Sequence, residues 1–584
     1  MTALQLPAAD TPQPPSRSVA ARIGARAVCE ALVREGVTTV FGYPGGTVLP
    51  IYDVLREFPL RHILVRHEQG GAHAADGFSR ATGEVGVAIA TSGPGAINLV
   101  TGLATAMMDS VPMVAITGNV PRALLGKDAF QETDIVGIAL PVTKYATVVM
   151  DPDEVPRAVA EAFEIARSGR PGPVLLDFPK DVLQAETTSP YPEPHELRLP
   201  GLLRPTRGDV PEADDLAEMI ARAERPLILS GHGVQIANAT KLLLDVAARA
   251  EIPVAHTLLG VGNIDETHRL SAGYAGMHGW MHANKAIQQC DLLIGIGCRY
   301  DDRITGKTST FAPNARIVHV DVDRSEIGKN VRTDLGIVAD AGDLLEALLR
   351  RLPQSAPRTA WTEQLAEWRA VSEQRSWHGS GSWREGRLSA DYVVEKIGEA
   401  TNHAATLVAD VGQNQMWAAR YFGFRQPYQH LSSGGLGTMG YAVPAAMGAA
   451  LGAPERETWA VVGDGGFQMT MQELATLVQD QIPVRIAVLN NHRLGMIRQW
   501  QEIIYDENYH SAELFGPDLV RLCEAYGIPA WRATRPEEVA TVIAAARAAP
   551  GPALIDFQLD EAQNVYPMML PGKGLSDMVE GAGE

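Results

Sequence analysis

Cysteine is scarce in this sequence. Only Cys29, Cys290, Cys298 and Cys523 occur among 584 residues, and no two of them form a CxxC pair. Such a count excludes a zinc ribbon and the disulfide framework that small secreted domains use. We therefore expect a reducing, cytoplasmic compartment.

Positive charge is also in short supply. The chain has 50 Lys and Arg against 69 Asp and Glu, which gives a formal net charge of −19. A chain this acidic is poorly suited to wrapping DNA or docking on anionic lipid. No nucleic-acid partner is expected, and any anionic ligand must overcome an unfavourable overall field.

The sequence lacks a convincing signal peptide or membrane span. Residues 1–20 have no basic start followed by an apolar stretch, so a disordered lead is expected. The uncharged runs Val85–Met108 and Leu431–Pro454 are long enough to cross a bilayer. Each contains a turn-forming segment, Thr91–Gly95 or Ser432–Gly435, which would leave backbone polar groups unsatisfied in lipid. Both runs are therefore interpreted as buried strand, loop and helix.

Short apolar strands alternate with helical patterns along most of the chain. Apolar residues make up 46% of the sequence, enough for several cores, and the length allows about three or four domains. Alternation of this kind predicts parallel sheets covered on both faces, and hence an α/β fold with three doubly wound domains. The predicted domains are residues 21–185, 209–352 and 388–584, with a connector at 353–387. The principal predicted strands are Val37–Gly42, His62–Arg66, Val85–Thr91, Met113–Thr117, Pro173–Asp177, Leu227–Ser230, Pro253–Thr257, Leu292–Gly297, Arg316–Val322, Thr406–Ala409, Thr458–Val462, Val484–Leu489 and Ala553–Phe557.

The sharpest local signal joins Gly463-Asp464-Gly465 to Asn490-Asn491. Each segment follows a predicted strand, and a helical pattern over Met469–Asp480 lies between them. Ligands of open α/β sheets bind at the carboxyl ends of strands, so one carboxylate and one carboxamide should converge there. Oxygen ligands beside a helix N-terminus suit Mg²⁺ and a phosphate. Asp464, Asn491 and the carbonyl of Arg493 are the expected metal ligands.

This spacing resembles the thiamin-diphosphate signature, and the resemblance extends over about Ala20 to Leu570. It is closest to the catalytic subunits of the acetohydroxyacid synthase (acetolactate synthase) family. The segments that carry it are Tyr43–Gly46, Arg66–Gly71, Thr91–Gly95, Asp128–Glu132, Gly276–Gly279, Arg299–Arg303, Gly412–Trp417 and Leu494–Trp500.

The resemblance implies a carboligase that uses thiamin diphosphate, Mg²⁺ and FAD. Pyruvate would be decarboxylated, and the retained two-carbon unit would condense with a second pyruvate or with 2-ketobutyrate, giving 2-acetolactate or 2-aceto-2-hydroxybutyrate. These products are early steps toward valine, leucine and isoleucine. The three domains would be pyrimidine-binding, FAD-binding and diphosphate-binding. A homodimer or homotetramer with a separate small regulatory subunit is implied as well.

Residue roles follow from the same resemblance. Glu68 would bond the pyrimidine ring of the cofactor and promote removal of its reactive proton, with Gly46, Gln131 and Lys180 as further catalytic residues. Asn414 stands where the family usually has His. The residues implied to hold thiamin diphosphate are Glu68, Gly412, Gln413, Asn414, Gly437, Met439, Gly463, Asp464, Gly465, Gly466, Asn491 and Met496. Those implied for FAD are Gly231, Gly233, Met277, His278, Gly297, Arg299, Asp301, Asp321, Asp340 and Ala341, and those implied for substrate are Phe130, Arg303 and Trp500.

Other interpretations compete with this one. Gly435-x-Gly437-x-x-Gly440 matches a dinucleotide motif, but it follows no convincing strand and lacks an acidic residue about 20 positions on. A flavin-dependent pyruvate oxidase on the same scaffold is the main alternative enzyme. Glyoxylate carboligases replace the catalytic Glu, so the presence of Glu68 argues against that activity.

Overall fold

Three six-stranded parallel sheets make up the protein, as the fold class predicted from the sequence requires. The computed structural model describes residues 20–197, 199, 210–355, 357–376 and 386–579. The predicted disordered lead therefore lies outside the described residues, except for Ala20.

The N-terminal domain contains a parallel sheet of strand order β3-β2-β4-β5-β7-β6 and a small antiparallel pair, β1 and β8. Its strands are β1 (Arg22–Ile23), β2 (Thr39–Gly42), β3 (Arg61–Leu64), β4 (Gly86–Ala90), β5 (Met113–Asn119), β6 (Tyr145–Val148), β7 (Pro173–Pro179) and β8 (Glu186–Thr187). Its helices are α1 (Gly24–Arg34), α2 (Leu49–Leu55), α3 (Glu68–Thr82), α4 (Pro94–Asn98), α5 (Val100–Asp109), α6 (Ile135–Ala139), α7 (Val155–Arg167) and α8 (Lys180–Gln184).

The central domain has the strand order β11-β10-β9-β12-β13-β14. Its strands are β9 (Pro226–Ser230), β10 (Val254–His256), β11 (Ser271–Tyr274), β12 (Leu292–Ile296), β13 (Arg316–Asp321) and β14 (Leu335–Val338). Its helices are α9 (Ala213–Arg222), α10 (His232–Ile236), α11 (Thr240–Ala250), α12 (Met281–Gln289), α13 (Asp302–Thr305) and α14 (Ala341–Arg351). Helix α15 (Thr359–Ser376) connects this domain to the next and packs against α12.

The C-terminal domain has the strand order β16-β15-β17-β18-β20-β19 and a short antiparallel pair, β21 and β22. Its strands are β15 (Thr406–Ala409), β16 (His430–Ser432), β17 (Thr458–Gly463), β18 (Val484–Asn490), β19 (Ala530–Ala533), β20 (Ala553–Gln558), β21 (Met568–Met569) and β22 (Met578–Val579). Its helices are α16 (Ala390–Ala400), α17 (Gln413–Tyr421), α18 (Ala442–Gly452), α19 (Asp464–Thr470), α20 (Leu474–Gln479), α21 (Gly495–Ile504), α22 (Leu519–Tyr526) and α23 (Pro536–Ala548).

Each sheet has one switch point; the N-terminal and C-terminal sheets share one strand order, and the central sheet has a different one. In every sheet the chain builds outward on one side of its first strand and then continues on the other side. The direction reverses between β2 and β4, between β9 and β12, and between β15 and β17. Crevices at the carboxyl ends of strands beside such reversals are the usual ligand sites of doubly wound sheets. The fold therefore offers three such crevices.

Helices α3 and α18 join the N-terminal and C-terminal domains through an unusually close contact. A Cβ atom built on Gly77 would overlap the carbonyl oxygen of Ala445, and one on Gly448 would overlap that of Ala74. Only glycine permits this approach, because the facing atoms are backbone and cannot move aside. The buried Glu473 carboxylate strengthens the junction by accepting the N–H groups of Arg66 and His67, both at 3.0 Å.

The structure corrects several details of the predicted elements. The helical pattern over Met469–Asp480 is not one helix, because the end of α19 and α20 are separated by a 3₁₀ turn at Met471–Glu473. The glycine motif Gly435–Gly440 does follow a strand, β16, which is only three residues long and lies at a sheet edge. The four cysteines are all buried and free. None of the described helices is long and apolar enough to cross a membrane.

Replacing Gly448 by Ala tests the helix contact. Alanine in a helix usually stabilises by about 1 kcal/mol relative to glycine. Here its methyl group would meet backbone, and we expect destabilisation by about 1–3 kcal/mol and a lower midpoint in thermal unfolding. The control is Gly551→Ala, whose Cβ would meet only the Gln481 side chain, at 3.5 Å. An unchanged midpoint for Gly448→Ala would contradict the packing argument.

Candidate functional site

A cavity of about 510 Å³ lies where the carboxyl ends of the central and C-terminal sheets meet. It gathers residues that the sequence resemblance assigned to two different cofactors. From the C-terminal domain it is lined by Gly412, Gln413, Asn414, Gly437, Met439, Gly463, Asp464, Gly465, Gly466, Asn491, Arg493, Met496 and Trp500. From the central domain it is lined by Gly233, Met277, His278, Gly297, Arg299, Asp301, Arg303, Asp321, Asp340 and Ala341. Gly231 lies just behind the cavity wall, against Gly297.

Asp464 lies at one end of the cavity, and this end is the candidate metal site. It is the first residue of α19 and follows β17 directly. Burial raises the pKa of its carboxyl from an ordinary 3.8 to about 6, while the backbone N–H of Asn491 favours the charged form. The described residues contain no cluster of three or more His, Cys, Asp or Glu suited to a metal. A cation here would therefore use Asp464, the Asn491 amide, backbone carbonyls and phosphate oxygens, a set that suits Mg²⁺.

Side-chain amides fix the loops around this end. The Oε1 atom of Gln413 accepts from Asn491 at 3.3 Å, and Gln413 Nε2 donates to Gln499 at 2.9 Å. Gly412 has a φ of 136°, a conformation that favours glycine, immediately before α17. Asn414 donates its amide to the carbonyl of Asp410 at 2.8 Å, which leaves its Oδ1 atom facing Gly412 and Gly463. The Asn414 side chain thus presents an acceptor, and not a donor, toward Gly412 and Gly463 at this end of the cavity.

The segment Ser433–Gly440, which we name the partition loop, divides the cavity. Ser433, Gly434, Gly435, Leu436, Gly437 and Met439 all line it. At its end the buried Asp410 carboxylate accepts from the N–H groups of Gly440 (3.0 Å) and Ala442 (2.8 Å). Gly437 has a φ of 74°, which permits the turn that exposes its backbone to the cavity.

Glycines bring the backbone of the central domain close to the other half of the cavity. Gly231 and Gly233, at the start of α10, pack directly on Gly297, and a Cβ atom on any of the three would strike backbone. Gly297 also has a φ of 59°. This crossing produces a smooth cradle at the β9–β12 switch point, the kind of surface on which a dinucleotide pyrophosphate can lie.

Polar side chains also lie in the central-domain half of the cavity, where they could contact an extended nucleotide. Asp321 ends β13, and burial raises the pKa of its carboxyl to about 6. The Nδ1 atom of buried His278 has no hydrogen-bond partner within the described protein. Asp340 instead caps α14, accepting from the N–H of Gly342 at 2.8 Å. The cradle and the unpartnered imidazole nitrogen fit a bound flavin nucleotide.

A second cavity, of about 630 Å³, adjoins the first. Met277, Arg303, Ile497 and Trp500 line both cavities, so these four residues lie between the two. The Arg303 side chain is 62% exposed and contacts the Met277 sulfur at 3.0 Å. A guanidinium beside an indole at this opening can orient a small carboxylate.

The five residues predicted for catalysis and substrate binding in the N-terminal domain form a separate group. Glu68 begins α3 and accepts from Asn98 at 2.9 Å, while Gly46, Gln131 and Lys180 follow β2, β5 and β7. Phe130, next to Gln131, is 88% exposed. None of these five residues borders the large cavity. Within one chain, the described structure does not bring Glu68 to Asp464.

The structure adds N-terminal residues that the sequence did not indicate. Met108, Asp109, Ser110 and Arg170 line the cavity, as does His232 of the central domain. One signal could have found Asp109: it is the first charged residue after the uncharged run Val85–Met108. A carboxylate that ends such a run is buried easily, and a buried carboxylate requires partners.

The chain is similar to known proteins over most of its length. The chain matches three family descriptions of the thiamine pyrophosphate enzymes: the N-terminal TPP binding domain at residues 22–138, the central domain at 213–348 and the C-terminal TPP binding domain at 410–557. It is 47% identical over 559 residues to the acetolactate synthase of Mycobacterium bovis, covering 94% of this chain and 90% of the relative. It is 46% identical to the acetolactate synthase large subunit of Corynebacterium glutamicum, with 95% and 90% covered. It is 45% identical to the probable acetolactate synthase large subunit of Methanocaldococcus jannaschii, with 95% of both covered.

Asp464→Asn tests the metal end. A folded pKa near 6 against an ordinary 3.8 means that ionised Asp464 destabilises the metal-free protein increasingly between those pH values and by a constant amount above them. The variant should therefore be more stable than the parent near pH 7, by about 1–3 kcal/mol, and the difference should vanish at about pH 4.

Thermal unfolding with and without Mg²⁺ and thiamin diphosphate measures the effect. The ligands should raise the unfolding midpoint of the parent and leave that of Asp464→Asn unchanged. With ligands, the parent should therefore be the more stable of the two. The matched control is Asp177→Asn, since burial raises the pKa of Asp177 to about 6 as well and Asp177 does not line the cavity; this variant should keep the full ligand response. Equal stabilisation of Asp464→Asn would contradict the assignment.

Proposed function

The chain belongs to the thiamine pyrophosphate enzymes and, among them, to the acetolactate synthase large subunits, and from this membership we propose how its residues divide the work. It is a thiamin-diphosphate-dependent carboligase that forms acetolactate from pyruvate. The observation that carries the activity is the likeness over 94–95% of the chain. The second substrate, either pyruvate or 2-ketobutyrate, the residue roles, Mg²⁺ and FAD are part of the proposal.

Asp464, Asn491 and the Arg493 carbonyl hold Mg²⁺ in this proposal. Gly412, Gln413 and the N-terminus of α19 face the diphosphate, where free N–H groups favour an anion. The partition loop presents the Gly437 carbonyl and Met439 to the pyrimidine ring. When bound, thiamin diphosphate supplies a nucleophilic ring carbon and an electron sink for decarboxylation of a 2-keto acid.

Substrate anions reach the site through the second cavity. Arg303 fixes a keto-acid carboxylate, and Trp500 limits the side chain that fits beside it. Both residues line both cavities. A local cation of this kind explains how a chain with a net charge of −19 can bind anionic keto acids.

A second copy of the chain completes the site. Glu68 holds a proton opposite the cofactor pyrimidine in this proposal, yet it does not border the cavity of its own chain. Large apolar side chains stand exposed near both half-sites, with Phe130 at 88% and Met469 at 55%. Burial of such side chains drives association, so we propose a homodimer in which Glu68 of one copy faces Asp464 of the other. The word "large" in the names of the relatives suggests a separate small regulatory subunit.

FAD occupies the central half of the cavity in this proposal. Gly233, Gly297 and Asp321 lie along the switch point of that sheet, where a nucleotide would bind. The flavin has a structural role, since a carboligation involves no net redox change.

The direct test of the activity uses purified protein with thiamin diphosphate, Mg²⁺ and FAD, given pyruvate. Acetolactate should accumulate without any electron acceptor, and CO₂ should be released in a one-to-one ratio with it. Bleaching of the flavin at the rate of turnover would instead indicate a pyruvate oxidase and would contradict the proposal.

Glu68→Gln should keep cofactor binding and lose most acetolactate formation, by a factor of about 10²–10⁴, because the amide cannot exchange a proton with the pyrimidine. The control is Glu84→Gln, which changes an exposed residue just after the same helix and should leave activity unchanged. Near-normal turnover by Glu68→Gln would refute this role.

Mixing two inactive variants tests the shared site. When Glu68→Gln and Asp464→Asn chains are coexpressed, half of the randomly formed dimers are mixed, and each mixed dimer has one intact site. About a quarter of the parental activity should return. If Glu68 and Asp464 acted within one chain, no activity would return.

A further inference from the structure

Asp109 lies at the point where all three domains meet. It is the last residue of α5, and its side chain is fully buried. Its carboxylate accepts from Gly434 at 2.9 Å and from Gly435 at 2.7 Å, the first glycines of the partition loop. Its backbone carbonyl accepts from Nδ1 of His232, in the central domain, at 2.9 Å. One residue of the N-terminal domain thus contacts both other domains at the cavity.

A buried ion pair holds Asp109 in place. Nη2 of Arg80 donates to the Asp109 carboxylate at 2.8 Å, and Nη1 of Arg80 donates to the carbonyl of Ser432 at 3.1 Å. Asp76 binds the other side of the guanidinium at 2.7 Å and also accepts from the Tyr441 hydroxyl at 2.6 Å. The network therefore spans both ends of the partition loop, from the residue before it to the residue after it.

The loop itself borders both halves of the cavity. Near Asp109, a Cβ atom on Gly435 would lie 3.2 Å from Nη2 of Arg299, a residue of the flavin half. Two residues further on, Gly437 and Met439 line the thiamin half. A second link to α5, between the hydroxyls of Thr105 and Thr438 at 2.8 Å, holds the middle of the loop. A displacement of the loop at its flavin end would therefore be transmitted to its thiamin end.

His232 connects Asp109 to the wall of the flavin half. It opens α10 beside Gly233 and lines the cavity. Because Nδ1 of His232 donates to Asp109, a ligand that packs against this wall restrains the histidine and, through it, the end of α5. The chain of contacts runs from Arg299 and His232 through Asp109 to Gly437 and Met439.

We propose that Asp109 is a positioning residue that couples the two cofactor half-sites, so that a flavin nucleotide bound against His232 and Arg299 tightens thiamin diphosphate binding by fixing the partition loop. This inference rests on the proposed function for the identity of the two ligands. It gives FAD a physical role in an enzyme whose reaction needs no flavin chemistry. Thermodynamic linkage requires thiamin diphosphate to tighten FAD binding by the same factor.

The test measures the thiamin diphosphate dissociation constant by calorimetry, at fixed Mg²⁺, with and without saturating FAD. The ratio of the two constants is the linkage factor, and flavin fluorescence gives the FAD affinity separately. In the parent protein we expect a linkage factor of at least about fivefold. In Asp109→Asn the amide group directs N–H toward a glycine N–H, so the factor should fall to within about twofold of unity while FAD still binds.

Asp177→Asn is the matched control. Asp177 is an equally buried carboxylate of the same domain, hydrogen-bonded to Thr117 at 2.7 Å and to Asn119 at 2.6 Å, and it does not line the cavity. A general loss of stability would weaken binding of either ligand without changing the ratio, so the control should keep the parental linkage factor. If Asp109→Asn fails to fold, Thr105→Val removes one loop contact without unpairing a charge and should lower the factor by at least about half.

Three results would overturn the proposal. A linkage factor of one in the parent, with both ligands bound, would show that the two half-sites are not coupled, and it would not affect the proposed activity. An unchanged linkage factor in folded Asp109→Asn would show that Asp109 does not couple the two half-sites. If Asp109→Asn does not fold, an unchanged factor in Thr105→Val would show the same for the partition-loop contacts. Failure of the parent to bind FAD at all removes the proposed flavin cofactor and this coupling together.

Discussion

The backbone contact between α3 and α18 is the constraint on which the rest of the structure depends. Because Gly77 and Gly448 allow the two helices to touch main chain to main chain, the N-terminal and C-terminal sheets are held in one relative orientation. Buried side chains add further contacts between the two domains. On α3, Asp76 binds Arg80 and the Tyr441 hydroxyl, and Glu473 of the C-terminal domain binds the backbone of Arg66, just before α3. With this geometry fixed, Asp109 reaches the partition loop, while Glu68 does not line the cavity of its own chain.

Most of the architecture could be predicted from local patterns. The central strands of each sheet, such as Met113–Asn119 and Val484–Asn490, are buried on both faces, and a largely apolar run between turns is typical of a buried parallel strand. The candidate site followed from the same logic, because GDG and Asn-Asn each stand just after such a strand. Asp464 and Asn491 do line one cavity, while the roles assigned to them stay a prediction.

The remainder could not be predicted because it depends on contacts between distant segments. The edge strands β6, β11, β14, β16 and β19 were not predicted, since only one neighbour pairs with each and their sequences need not be apolar on both sides. The break at Met471–Glu473 exists because Glu473 turns inward to bind the backbone of Arg66, more than 400 residues away along the chain. Asp109 and His232 carry no motif; the uncharged run before Asp109 is a weak signal, and their contacts are revealed only by the folded structure.

The four buried thiols have a consequence of their own. Burial raises the pKa of Cys29 and Cys523 to about 12, and raises those of Cys290 and Cys298 as well, so none is an accessible thiolate at neutral pH. A thiol reagent can then modify the chain only when a core opens. Cys29 lies in the first domain, Cys290 and Cys298 in the second, and Cys523 in the third. Their labelling rates therefore report the local opening of each of the three domains under native conditions.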